Sequence, residues 1–165
     1  DWESQDRAKQ PQENDCLFED EGRISGRLIG GNLNTITAIW GSPYMPKIEE
    51  GDILLIEDSL KDIATVERLF AFLKLNGVFD RVGAILLGKH EGFNDRGTGR
   101  SPRMVLDEIL GGQRLPIVSR FDCAHTHPMM TLPLGAQVEI DFERGALSLL
   151  GDWLREEKGA TSEHD

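Results

Sequence analysis

The sequence predicts an α/β protein with a mixed sheet, whose parallel central strands are flanked by helices and followed by a C-terminal antiparallel hairpin. Short apolar runs alternate with segments in which apolar residues recur at helical spacing. Gly, Asn and Pro residues separate most of these segments. The last two apolar runs are joined by a short turn instead of a helix. Strand–helix alternation favours parallel strands, and a short turn joins antiparallel ones.

Each predicted strand is a short run of mostly large or β-branched apolar residues with a turn signal beside it. The central runs are continuously apolar, which is typical of strands that are buried on both faces. The predicted strands cover residues 24–29, 52–56, 82–87, 115–118 and 137–140, with 146–150 as the second strand of the hairpin.

The three predicted helices begin at residues that can cap a helix. Asn32 can cap the first, Ser59 with Asp62 three residues later resembles a capping signal for the second, and Ser101 with Pro102 predicts the start of the third. The predicted helix ends are marked by Gly41, by Asn76 with Gly77, and by Gly111 with Gly112.

Length and charge limit the classes of protein to which the chain can belong. Its 165 residues are typical of one domain, and we expect residues 22–154 to carry the fold. Residues 1–21 are polar and acidic and predict a linker or loop, and residues 155–165 predict a flexible tail. The net charge is −11, from 18 basic and 29 acidic residues, without a basic cluster. This argues against nucleic acid and anionic membranes as partners.

The cysteines and the hydropathy pattern bear on the cellular compartment of the protein. Cys16 and Cys123 are too few for a disulfide framework, which favours a reducing compartment. No apolar run approaches the roughly 18 residues that span a bilayer, and the N-terminus does not resemble a signal peptide. We therefore expect a cytoplasmic protein.

Two side chains that can take part in acid–base catalysis follow apolar strand-like runs. Glu57 ends the run 53–56, and His125 lies in a loop with Pro and Gly after the run 115–118. Functional groups collect beyond the carboxyl ends of parallel strands, so these two could form the base-and-orienter half of a nucleophilic triad. Alternatively, Glu57 is an acid that favours the start of a helix, and His125 is an ordinary loop histidine.

A nucleophile does not accompany this pair. None of the eight serines lies in a Gly-x-Ser-x-Gly elbow. Cys123 is only two residues from His125. The sequence therefore predicts half of an enzyme, whose nucleophile comes from another domain.

Three further hypotheses concern ligands. Cys123, His125 and His127 could share one strand face and bind a metal, but Pro128 opposes a regular strand and a fourth ligand is not evident, so we predict no metal site. Lys61, four residues after Glu57, predicts either a surface ion pair or an anion-binding group. Asn34 is either a helix-start residue or an amide that contacts substrate.

Five motifs occur in order over nearly all of residues 22–154. They are Arg-Leu-Ile-Gly-Gly-Asn-Leu-Asn at 27–34, Ile-Trp-Gly-Ser-Pro-Tyr at 39–44, Ile-Glu-Asp-Ser-x-Lys-Asp at 56–62, Ile-Leu-Leu-Gly-Lys-His-Glu at 85–91 and Asp-Cys-x-His-Thr-His-Pro at 122–128. With them the chain resembles the C-terminal domain of the LD-carboxypeptidase family of serine peptidases. The branch that it resembles most confers immunity to microcin C-type antibiotics.

The resemblance implies a Ser-Glu-His triad whose serine lies in an N-terminal domain that this sequence lacks. The glutamate falls on Glu57 and the histidine on His125. The substrate contacts of the immunity-type members fall on Asn34 and Lys61. Residues 1–21 then become the linker or loop from the missing domain, and the fragment alone is expected to be inactive.

The implied reaction is cleavage of the amide between the acyl part and the nucleotide of a peptidyl- or aminoacyl-nucleotide antibiotic. The implied partners are this small molecule, the serine-bearing domain of the same protein and a second copy in a homodimer; no metal or organic cofactor is needed. One alternative is a murein LD-carboxypeptidase that releases terminal D-alanine. Another is a non-catalytic module that binds the ligand.

Overall fold

The computed structural model describes residues 15–126 and 129–151. The first 14 residues of the predicted linker and the whole predicted tail, 155–165, lie outside this part. The strands are β1 Leu17–Phe18, β2 Arg23–Asn32, β3 Ile53–Glu57, β4 Ala84–Gly88, β5 Ile117–Phe121, β6 Gln137–Asp141 and β7 Ala146–Leu149. The helices are α1 Leu33–Ala38, α2 Ile63–Leu75 and α3 Pro102–Leu110.

All the described strands form one mixed sheet in the order β1-β5-β4-β3-β2-β6-β7. The four strands β2 to β5 pair in parallel. β1, β6 and β7 add antiparallel edges, with β6 and β7 as the C-terminal hairpin. The predicted fold class is confirmed. β1 lies within the segment predicted as linker or loop, because a two-residue strand has no periodicity that a sequence can reveal.

Several element boundaries differ from the sequence prediction. β2 continues through Gly30 and Gly31 to Asn32, beyond the predicted strand 24–29. A Cβ at Gly30 would lie 1.9 Å from the carbonyl oxygen of Leu55, so only glycine permits this close approach to β3. The predicted cap at Ser59 is wrong: the N-cap of α2 is Asp62, whose side chain accepts from the backbone N–H of Thr65. The predicted caps Asn32 and Ser101 are confirmed.

The apolar side chains form two clusters, one on each face of the sheet. The side chains of β3 alternate between the two faces of the sheet. Leu54 and Ile56 belong to one cluster, and Ile53 and Leu55 belong to the other. The three helices contribute to the first cluster. The second is built from strands and loops, including Phe121, Cys123 and Phe142. This packing on both faces explains the continuous apolar runs of the central strands.

The parallel strands bring their carboxyl ends to a single edge of the sheet. In this register Asn32 at the end of β2 lies opposite Glu57 at the end of β3. Gly88 ends β4, and the loop that carries His125 follows β5. Among the residues that the structure describes, no helix has the length and apolarity to cross a membrane.

Candidate active site

Glu57 and His125 are in direct contact at this edge of the sheet. The imidazole Nδ1 lies 2.7 Å from the carboxylate Oε2 of Glu57. The glutamate side chain is only 3% exposed, whereas the histidine side chain is 47% exposed. With Nδ1 bonded to the carboxylate, Nε2 is the ring nitrogen that can exchange a proton with another group. The pair therefore has the geometry of an oriented general base.

The buried Glu57 carboxylate has a donor for each oxygen. The side-chain amide of Asn32 donates to Oε1 at 3.2 Å, and His125 contacts Oε2. Burying a carboxylate without such partners is costly, so the two contacts make the buried acid tolerable. The Oε1 contact comes from the residue that also caps α1, since Asn32 Oδ1 accepts from the backbone N–H of Thr35.

His125 lies in the loop after β5, where the backbone is strained. Ala124, the preceding residue, has φ of +60°, a conformation that side-chain-bearing residues seldom adopt. Cys123 forms an isolated bridge with Met130, and the Thr126 hydroxyl donates to the Cys123 carbonyl. These contacts stabilise the loop, and the imidazole of His125 contacts Glu57 at the end of β3.

A partly buried ion pair fixes the start of this loop. The Lys89 ammonium contacts the buried Asp122 carboxylate and lies 2.9 Å from Asp15. Partial burial alone would lower the pKa of Lys89, but its hydrogen bonds to Asp122 and Asp15 outweigh that effect and raise it. The lysine therefore stays charged and ties the end of β4 to the residues just before His125.

Asp58 is a second buried carboxylate beside Glu57. It is 1% exposed and accepts hydrogen bonds from the backbone N–H groups of Asn34 and Ser59 and from the Asn32 amide. The ammonium of Lys61 lies 3.7 Å from its Oδ1. The proposed Lys61–Glu57 ion pair is therefore wrong: the partner is Asp58, since residues 57–61 do not form a helix that would align positions 57 and 61.

The four candidate residues thus lie around one centre. Glu57 and His125 touch, and both Asn34 and Lys61 are connected to the adjacent Asp58. Sequence reasoning missed Asn32 as a partner of Glu57 and Asp58 as a partner of the other two. The available signal for Asp58 was a second acid directly after the apolar run 53–56.

Cys123 is buried against the catalytic candidates but is not activated. Burial, followed by the charges of Glu57 and Asp122, raises the pKa of its thiol to about 12. A thiol with this pKa stays protonated near neutral pH and is a poor nucleophile. Both cysteines are free. Within residues 15–126 and 129–151, His, Cys, Asp and Glu side chains form no group of three that could hold a metal; His127 lies outside them.

The model of the LD-carboxypeptidase C-terminal domain matches residues 25–140. The microcin C7 self-immunity protein MccF of Escherichia coli is 55% identical over 152 residues, which are 92% of this chain and 44% of the relative. A solved structure of a protein of that name in complex with aspartyl sulfamoyl adenosine has a TM-score of 0.86 at 56% identity, covering 90% of this chain and 44% of the other.

Two further structures are similar. One is described as an active-site mutant of MccF with a serine, an asparagine and a lysine each replaced by alanine; it has a TM-score of 0.86 at 54% identity and covers 90% of this chain and 44% of its own. The other is muramoyltetrapeptide carboxypeptidase from Oxalobacter formigenes, with a TM-score of 0.68 at 28% identity. The match covers 79% of this chain and 46% of the carboxypeptidase chain.

The chain spans less than half the length of the relatives it matches. The match to the family model nevertheless includes the end of β2, all of β3 and the loop with His125. The Glu57–His125 pair and the residues around Asp58 thus lie inside the matched region. On this evidence the chain belongs to the LD-carboxypeptidase C-terminal domain family.

Proposed function

We propose that this chain is the C-terminal half of a serine hydrolase that cleaves peptidyl- or aminoacyl-nucleotides and confers immunity to microcin C-type antibiotics. The scissile bond is the amide between the acyl part and the nucleotide. The observation that carries the proposal is the 2.7 Å contact between His125 Nδ1 and Glu57 Oε2. The 55% identity to the microcin C7 self-immunity protein supports this substrate class.

In the proposed mechanism the nucleophile is a serine hydroxyl from an N-terminal domain. His125 Nε2 accepts the hydroxyl proton as the serine oxygen bonds to the acyl carbon. It then donates that proton to the amide nitrogen as the C–N bond breaks and the nucleotide part leaves. Glu57 keeps the proton on Nδ1 and stabilises the imidazolium. The same histidine then accepts a proton from a water molecule that attacks the acyl carbon, and donates it to the serine oxygen as the ester bond breaks. No step of this scheme uses a metal or an organic cofactor.

We assign Asn34 and Lys61 to substrate binding. The amide of Asn34 can hydrogen-bond a polar part of the ligand, and the Lys61 ammonium can meet an anionic part. The asparagine and the lysine replaced in the active-site mutant of MccF are 27 positions apart, the same separation as these two. This spacing supports the assignment.

Of the two alternatives, the first is supported by a particular observation. The similarity to muramoyltetrapeptide carboxypeptidase supports release of terminal D-alanine from murein peptides. The lower identity, 28% against 55%, ranks this second. A non-catalytic ligand-binding module would also use Asn34 and Lys61. The proposed partners of the whole protein are the serine-bearing domain and a second copy in a homodimer.

A chimera tests the proposal. Residues 15–151 replace the matched region of the E. coli relative, and hydrolysis of a microcin C-type aminoacyl-nucleotide is measured by chromatography. We expect the chimera to be active and the chain alone to be inactive. His125→Ala should reduce kcat/KM by at least about a hundredfold, because a positioned general base contributes roughly 10²–10⁴. Glu143→Gln, in the exposed hairpin turn, is the control and should change little.

The outcomes separate the three hypotheses. If the chimera hydrolyses a murein tetrapeptide but not the aminoacyl-nucleotide, the carboxypeptidase alternative is supported. An inactive chimera, together with tight binding of aspartyl sulfamoyl adenosine by the chain alone, would favour the binding module. Full activity of the His125→Ala chimera would refute the mechanism.

A further inference from the structure

We propose that Asp58 is a positioning residue that holds the start of α1 and the Lys61 ammonium in a fixed arrangement beside the Glu57–His125 pair. The inference deepens the proposed function and rests on it for its effect on substrate.

The Asp58 carboxylate connects chain segments that are distant in sequence. Oδ2 accepts from the backbone N–H of Asn34 at 3.1 Å, across 24 positions. Oδ1 accepts from the side-chain amide of Asn32 at 3.3 Å and lies 3.7 Å from the Lys61 ammonium. It also accepts from the adjacent Ser59 N–H at 2.8 Å. One side chain thus touches the segments that carry both proposed substrate contacts.

Burial makes this arrangement rigid. The carboxylate is almost wholly removed from water, so each lost partner would leave a buried charge insufficiently solvated. Hydrogen bonds to an ionised acceptor are roughly twice as strong as those between neutral groups. The start of α1 therefore cannot shift away from Asp58 without a large energetic penalty.

The backbone between Asp58 and Lys61 is itself constrained. Leu60 has φ of +54°, and the residue is 81% exposed, so burial does not offset the backbone strain. The Leu60 N–H donates to the Glu91 carbonyl at 2.7 Å, and Ser59 bridges Glu91. These contacts fix the segment in which the Lys61 ammonium lies 3.7 Å from the carboxylate three residues earlier.

Asn32 connects this arrangement to the catalytic pair. Its amide nitrogen donates to Glu57 Oε1 at 3.2 Å and to Asp58 Oδ1 at 3.3 Å. A ligand group held between Asn34 and Lys61 is thereby placed at a set distance from the imidazole of His125. Loss of the Asp58 charge should mainly weaken ligand placement, because Glu57 keeps its contact with His125.

The test uses Asp58→Asn, which keeps the shape but presents an amide to several donors. Asp62→Asn is the control: Asp62 lies four residues away, pairs with Arg96 and caps α2, a role that asparagine also performs. In the chain alone, NMR follows the amide protons of Asn34 and Ser59 and the Lys61 ammonium. In the chimera, KM and kcat are measured separately.

We expect Asp58→Asn to move the Asn34 and Ser59 amide protons upfield and to change the Lys61 signal. The expected rise in KM is on the order of tenfold, with kcat changed by less than about threefold. The control should leave the amide proton of Asn34 in place and KM unchanged. Restoration of the wild-type amide shifts in Asp58→Glu would further support a role for the charge.

Two results would overturn the inference. Unchanged Asn34 and Lys61 signals in Asp58→Asn would show that the carboxylate does not hold them. A fall in kcat at constant KM would show that Asp58 acts on the catalytic pair instead. If the unsubstituted chimera is inactive, the proposed function fails, whereas the NMR comparison still decides whether Asp58 fixes these two groups.

Discussion

Gly88 permits the close approach of β4 to the Glu57–His125 pair, and Gly88→Ala tests that requirement. A Cβ at this position would lie 2.6 Å from Glu57 Cβ and 3.0 Å from Cys123 Sγ. Gly88 does not have a positive φ, so alanine is allowed by the backbone and only the contacts oppose it. The substitution therefore isolates a packing effect beside Glu57.

The expected effect has two parts. Relieving the contact needs a movement of about 0.8 Å, the difference between 2.6 Å and the 3.4 Å at which ordinary contact begins. The same movement would stretch the 2.7 Å contact between Glu57 Oε2 and His125 Nδ1 to the limit of a hydrogen bond. Overpacking of this kind costs about 1–3 kcal/mol of unfolding free energy.

Urea denaturation measures the stability change, and the NMR signal of the Nδ1 proton of His125 reports the contact with Glu57. We expect a lower midpoint and a weakened or shifted proton signal. Gly83→Ala is the matched control, because its Cβ would meet the Gly51 carbonyl oxygen at a milder 3.2 Å, away from His125. An unfolding free energy within about 0.5 kcal/mol of wild type, with an unchanged proton signal, would refute the reasoning.

Two further predictions concern titrating groups. Burial alone would raise the pKa of Asp52, but hydrogen bonds from Arg27 and from the Glu49 N–H hold it below the ordinary value of an aspartate. The ionised Asp52 carboxylate contributes fully to stability above about pH 5, and this contribution is lost as the pH falls through the folded-state pKa. In urea denaturation from pH 5 to 3, the unfolding free energy should therefore fall less steeply in Asp52→Asn than in wild type. An equal slope in both proteins would contradict this. The pKa of the Cys123 thiol is raised to about 12, so iodoacetamide at pH 8 should leave this thiol unmodified in the folded protein and should label it in urea. Peptide mass spectrometry measures the labelling. Rapid labelling of the folded protein would contradict the burial and the raised pKa of this thiol.

Much of the fold is predictable from local patterns. Ser101 followed by Pro102 predicts the start of α3, and Asn32 predicts the cap of α1, because a cap depends on residues within one turn. β1 is not predictable in this way, since its two residues are held by β5 a hundred positions later. The inclusion of Gly30 in β2 is equally non-local, because it depends on the approach of Leu55.

The candidate site divides in the same manner. An acid after a buried strand and a histidine in a loop after another are visible in the sequence, and the motifs around them identify the family. The shared amide of Asn32, the contacts of Asp58 with Asn34 and Lys61, and the separation of Lys61 from Glu57 are not visible.

The sequence by itself determined the α/β class, the order of the central elements and the residue types at the site, because periodicity and capping act over short distances. Only the tertiary structure decided which side chains meet. Parallel pairing brings the ends of β2, β3 and β4 and the loop after β5 to one edge, and buried carboxylates there must find donors from whichever segments lie beside them. Glu57 meets Asn32 and His125 for this reason, across 25 and 68 positions of the chain.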